Sequence, residues 1–155
     1  MRNGALMILV LFTACEIPES NRPEEKSWYS SQGFEALDED LVWMVLELEL
    51  SRRGYTLDPM ACDRITGDFE TRWITNLNPF RYEGRRTKYV GRVEAVADQP
   101  GWFRVRGLVW TQRNADLKDP MDPLKAIWQD DAPDDTATEV FLYSMVSHFE
   151  TPSDR

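Results

Sequence analysis

Two cysteines, one histidine and an island of arginines are the side chains of this 155-residue chain whose types and spacing could carry chemistry. Cys15 closes the stretch MRNGALMILVLFTAC, in which one cation, Arg2, precedes an apolar run from Ala5 to Phe12 and the small residues Thr13 and Ala14. That is the order of a secretory signal, and its apolar core is far shorter than the roughly 20 residues of a bilayer span. If Cys15 is modified, Cys62 has no partner within the chain; in an oxidising compartment it is either buried and inert or used between molecules. His148 is distant from both in sequence.

Residues 72–113 hold nine Lys or Arg against three Asp or Glu, a local net of +6 in a chain of net charge −9. Arg81, Arg85, Arg86, Lys88, Arg92, Arg104, Arg106 and Trp110 are the candidate partner-binding residues, because Arg and Trp are enriched at binding hot spots. The competing reading is a solvated sheet face whose arginines pair with Asp68, Glu70 and Glu94. Asp130, Asp131, Asp134 and Asp135 make an acidic loop without the glycine and ligand spacing of an EF-hand. The chain has no Gly-rich phosphate loop, HExxH, CxxC or GxSxG, so neither a cofactor nor a metal is expected. Its acidity argues against nucleic-acid partners and against adsorption of the whole domain to anionic lipid. Two carboxylates brought together in space would make it a hydrolase of envelope glycans, the enzymatic alternative.

Phe12-Thr13-Ala14-Cys15 resembles the lipobox of bacterial lipoproteins, with Phe12 where that family usually carries Leu, Val or Ile. The resemblance implies that residues 1–14 are removed and that Cys15 is acylated, placing the chain in the bacterial cell envelope with the membrane as a partner. Glu16, rather than aspartate, follows the cysteine and favours the outer membrane, facing the periplasm. Residues 15–33, with Pro18, Pro23 and four glutamates, read as a lipidated flexible tether. Residues 34–150 read as one domain and 151–155 as a tail.

Positioning the arginines falls to the elements between. Leu37, Leu41, Met44, Val45 and Leu48 follow helical spacing, so a helix is predicted over 35–53, with Val42, Trp43, Leu46 and Leu50 widening its apolar face and Gly54 ending it. A short strand is predicted at Tyr55–Leu57 and an alternating strand over 64–74, with Ile65, Phe69, Thr71 and Trp73 on one face. Residues 87–97 and 102–112 read as a hairpin in which Gln99-Pro100-Gly101 is the loop, Ala95 faces Val105 and Glu94 faces Arg106. In it Lys88, Arg92, Arg104, Arg106, Leu108 and Trp110 point away from the helices. Asp122-Pro123 starts a short helix to Trp128. Thr136 and Glu139 make a capping box for a closing helix to Phe149, with Val140, Phe141, Leu142, Met145 and Val146 against the sheet.

The predicted class is α+β: an antiparallel sheet of three or four strands with two main helices packed on one face. Trp73, Phe69, Val93, Val105 and Val109 should meet Leu41, Met44, Val45, Leu48, Phe141 and Met145 in one core. Gly54-Tyr55, Thr71-Arg72-Trp73 and the hairpin at Pro100-Gly101 resemble the helix-grip domains of the C-subunit lipoprotein of the outer-membrane β-barrel assembly machine. That resemblance spans residues 35–149; the chain has room for one such domain rather than two and carries the extra segment 114–135. The expected function is a membrane-anchored, non-enzymatic binding or assembly accessory. Its basic sheet face would meet an envelope protein or an anionic envelope component. Alternatives are the glycan hydrolase and a structural lipoprotein whose sheet face binds nothing.

Overall fold

The computed structural model describes residues 22–150 apart from Leu117; Cys15, the signal segment and the tail 151–155 lie outside the described residues. Nine elements follow a 3₁₀ turn at Glu25–Ser27: β1 (Tyr29–Ser30), β2 (Phe34–Glu35), α1 (Glu39–Arg52), β3 (Asp68–Glu70), β4 (Ile74–Asn78), β5 (Glu83–Ala95), β6 (Trp102–Asn114), β7 (Trp128–Asp130) and α2 (Asp135–Ser147). All seven strands belong to one antiparallel sheet, so the expectation of three or four strands is corrected while the class remains α+β.

The sheet is built around one ribbon, β5 against β6, 13 residues each. The outer edge of β6 is covered in turn by β2, β1 and β7, and that of β5 by β3 and β4. Between β1 and β7 the edge is closed by α2: Thr138 Oγ1 accepts from Val109 N at 2.9 Å, and Asp134 N donates to Val109 O at 3.2 Å. Covering both edges with short pieces satisfies the backbone donors that a long ribbon would otherwise expose. Strands of two and three residues are too short to display an alternation, and that is why the additional ones were not expected from sequence.

The hairpin register is shifted by two residues from the expected one. Ala95 faces Phe103, Val93 faces Val105, Gly91 faces Gly107 and Glu94 faces Arg104. A two-residue shift keeps every side chain on its face, so the hydrophobic pattern cannot select between the registers. The loop selects: Val96 N donates to Trp102 O at 2.8 Å, leaving 97–101 as a five-residue connection with Asp98 (φ 63°) and Gly101 (φ 78°) in left-handed conformation. The predicted facing holds throughout, with Tyr89, Val93, Val105 and Val109 in the core shared by both helices.

The predicted strand over 64–74 breaks twice. Residues 64–67 form turns and Ile65 is exposed. Gly67 (φ 79°) turns so close to β5 that a Cβ there would lie 2.1 Å from Val93 O. β3 pairs Asp68 with Arg92, Phe69 with Gly91 and Glu70 with Val90, whereas β4 pairs Ile74 with Thr87, one residue out of step. The extra residue at Arg72–Trp73 acts as a bulge and reverses the facing. Phe69 therefore meets Trp43 on the helix side, while Trp73 meets Trp110 on the far side. Trp73 is thus removed from the predicted helix-side core.

α1 starts later than expected, at Asp38, whose carboxylate accepts from Leu41 N at 2.8 Å. It ends as expected: Gly54 (φ 82°) N donates to Ser51 O and Tyr55 N to Leu50 O, the Schellman pair. Its buried face is Val42, Trp43, Val45, Leu46, Glu49 and Leu50; Leu37, Met44 and Leu48 are exposed and Leu41 is half-buried, correcting the predicted stripe. Apolar residues occupy every position from 41 to 46, so spacing alone does not define a face. Trp43 helps to fix it, edge-on to Phe69 with Nε1 donating to Glu39. α2 is capped by Asp134, which accepts from Ala137 N at 2.9 Å, so Thr136 and Glu139 are inside the helix and make no capping box. Val140 is exposed, against expectation.

Three further expectations change. Residues 122–128 form turns and the start of β7 rather than a helix, with Asp122 accepting from Leu124 N. Of Tyr55–Leu57, only Leu57 bridges, to Thr71. Residues 22–33, assigned to the tether by composition, lie along the sheet: Trp28 is buried with Val90, Leu108 and Trp110, and β1 pairs with β6 at Gly107 and Arg106.

Candidate functional site

The far face of the sheet carries the predicted cations, and the structure gives most of them partners. Arg92 Nε donates to Asp68 at 2.9 Å and its Nη2 to Glu25 at 2.7 Å. Arg106 pairs with Glu94 at 3.2 Å and donates to Glu25 O. Lys88 pairs with Glu70 and sits 5.0 and 4.9 Å from the ring centres of Trp73 and Trp110. Arg86 donates to Gln112 Oε1 at 2.7 Å and lies over both Trp73 (4.4 Å) and Trp128 (4.6 Å). Arg22, from the segment before β1, reaches Asp68, Glu70 and the Trp28 ring. The local excess of positive charge in sequence is therefore matched in space by Glu25, Asp68, Glu70 and Glu94, with ordinary charge-assisted bonds and cation–π contacts.

Trp110 is buried, its Nε1 donating to Asp130 at 2.9 Å, so it supports the face from beneath. Arg85 pairs with Glu83 at 3.0 Å and Asp131 at 2.6 Å. Arg104 faces Glu94, but Glu94 is taken by Arg106, so Arg104 has no carboxylate partner among the described residues. Arg81 stands apart, exposed on the turn between β4 and β5. The eight predicted residues thus divide: Lys88, Arg86, Arg92, Arg106 and Trp110 form one packed surface, Arg104 lies on its margin, Arg85 projects instead from the helix-side face with Thr87, beside the start of α2, and Arg81 is at one end.

The acidic loop has structural duties that its composition concealed. Asp130 holds Trp110 and Gln112, Asp131 holds Arg85, and Asp134 caps α2. The Arg92 hydrogen bond, opposed by burial, helps to hold the Asp68 carboxyl below its usual range.

A second cluster, missed in the sequence, lies between the helices. Glu49 is 2% exposed and meets Ser144 Oγ at 2.6 Å, His148 Nε2 at 2.8 Å, Arg52 at 2.9 Å and Arg53. Burial by itself raises its pKa; the Ser144, His148, Arg53 and Arg52 hydrogen bonds overcome that and bring it down to about 2. A glycosidase general acid needs the opposite shift, because it must hold a proton near neutral pH. Glu49 is arranged to clamp α1 to α2. The only advance signal was its i+3 and i+4 spacing to Arg52 and Arg53; Ser144 and His148 join from the far end of the chain. Cys62 is half-buried, its Sγ donating to Glu70 O at 3.5 Å, and burial raises its pKa, which disfavours the reactive thiolate. Among the described residues, no three His, Cys, Asp or Glu side chains converge to hold a metal ion, and no helix is long and apolar enough to cross a membrane.

No protein-family model matches the chain, and no curated protein matches it in sequence.

Proposed function

We propose that the chain is a lipid-anchored protein of the bacterial envelope, facing the periplasm from the outer membrane, that works by binding as a non-enzymatic accessory. The anchor rests on the run from Arg2 to Cys15. The binding role rests on one observation: the far sheet face presents arginines and a lysine already held by tryptophan rings and carboxylates. Side chains fixed in this way lose little freedom when a partner arrives, which favours affinity without requiring a large net charge. The partner is an envelope protein or an anionic envelope component that meets the margin at Arg104 and Arg106.

Crosslinking in cells from positions 104 and 106, with Glu47 on α1 as the control position, tests this reading. Capture of one discrete partner from the sheet face and not from 47 supports it. Equal capture from both faces removes it. Arg104→Glu is the informative charge reversal, because Arg104 breaks no ion pair when changed, whereas Arg92→Glu would disrupt Asp68 and Glu25 as well. A real contact should weaken about tenfold in Arg104→Glu.

A further inference from the structure

We infer that the end of the sheet opposite the β5–β6 loop is a membrane-docking surface, in which Phe80 and Leu124 enter the headgroup layer of an anionic bilayer and Arg81 takes a lipid phosphate. The turn between β4 and β5 carries Phe80, 99% exposed, and Tyr82, 61% exposed, on either side of Arg81. The loop after β6 carries Leu124, 95% exposed, and Ile127, 60% exposed. The two loops are held together. Gly84 packs so tightly on the second loop that a Cβ would lie 2.5 Å from Pro120 O, and Asn114 donates to Pro120 O while accepting from Ile127 N.

These apolar side chains stand out from turns with most of their surface in solvent, which suits insertion into a soft interface. Exposed aromatic and aliphatic residues beside cations are the composition of interfacial anchors, which bury about 5–10 Å into the headgroup boundary. At the base of the first turn Asn76, Asn78, Arg81, Glu83 and Arg85 line a cleft of about 210 Å³. Glu83 is engaged by Arg85, whereas Arg81 pairs with no carboxylate among the described residues, leaving its guanidinium for a phosphate. Residues 76–86 and 113–131, which include the Asp130 and Asp131 beside Arg86 and Arg85, hold six basic and six acidic residues, net zero in a chain of net −9. Charge therefore favours this end over the rest of the surface for anionic lipid.

The distances agree with the anchor, and to that extent the inference rests on the proposed lipid attachment. Six residues separate Arg22 from Cys15, and the seven Cα–Cα steps between them reach at most about 25 Å. Arg22 lies over β5 at Gly91, and from Gly91 to Glu83 the strand runs roughly 26 Å. Fully extended, the link therefore reaches about the level of Glu83, at the base of the turn.

The test uses the full chain reconstituted into vesicles of equal parts phosphatidylethanolamine and phosphatidylglycerol. A fluorophore is placed on Phe80→Cys, or on Tyr143→Cys on α2, in a Cys62→Ala background, and quenched by spin-labelled lipid. Docking is supported if position 80 is quenched several-fold more than position 143, and if Arg81→Gln lowers that quenching in phosphatidylglycerol vesicles but not in phosphatidylcholine. A chain that floats with the vesicles while 80 and 143 are quenched alike overturns docking alone. A chain that stays in solution overturns the anchor reading and docking with it. A fluorescence shift at position 80 that grows with protein concentration in the absence of vesicles assigns the surface to a second copy and also overturns docking.

Discussion

Glu49 shows how a single side chain can join two helices that are nearly 100 residues apart. Its pKa of about 2 lies below the ordinary 4.5 of an unfolded glutamate. A lowered folded-state pKa gives stability that is fully present above about pH 4.5 and is lost as pH falls through about 2. The difference corresponds to roughly 3 kcal/mol. Glu49→Gln is expected to cost about that much at neutral pH and to flatten the decline in stability between those two pH values; urea melts across the acid range would read both. A variant that melts like the parent at neutral pH would mean that the clamp contributes nothing. The sequence offered no reason to single out Glu49, since Leu46-Glu47-Leu48-Glu49-Leu50 reads equally as strand alternation. Its burial depends on Ser144 and His148, which no local window contains.

At the scale of elements, two glycines carry the sheet. Gly91 and Gly107 face each other across β5 and β6, and a Cβ at Gly91 would lie 2.2 Å from Arg106 O and 2.6 Å from the Phe69 ring. Gly91→Ala is expected to destabilise by about 3 kcal/mol through overpacking. Gly54→Ala, with open space around it, should cost only about 1 kcal/mol, for its left-handed conformation. Thermal or urea unfolding of the pair would separate clash from strain, and equal losses would refute the close approach. Trp28→Ala should cost about 3 kcal/mol by opening the far-side cluster of Val90, Leu108 and Trp110, read by the same melts. What was legible here was parity: the facing of the paired residues 88–95 and 103–110 follows from alternation. Register and bulge were not legible. Registers two residues apart keep the same faces, and the extra residue before β4 leaves no mark in composition. The polar segment before β1 was misread because two-residue strands and one tryptophan are enough to dock it.

For the molecule as a whole, the sequence pattern that proposes a location is local, whereas the balance of surface charge is not. A signal pattern is local, so Cys15 could be singled out at once; a palmitate analogue should label the parent chain and fail to label Cys15→Ala, and normal labelling of that variant would exclude acylation. The basic island was equally visible, but its compensating carboxylates come from residues 25, 68, 70 and 94, and only folding brings them onto one face.

If Cys15 is anchored as proposed, the docked segment 22–33 lies on the mechanical path from the membrane to the body. Tension applied through Cys15 would first load the Arg22 and Glu25 ion pairs, then Trp28, then the two β1 pairs with β6. The long β5–β6 ribbon, held by eleven residue pairs, lies beyond that route. Peeling the segment would lengthen the link by roughly 40 Å while the core stayed folded. The chain would then behave as an extensible leash: short at rest, and able to yield as the distance between the membrane and whatever it holds changes.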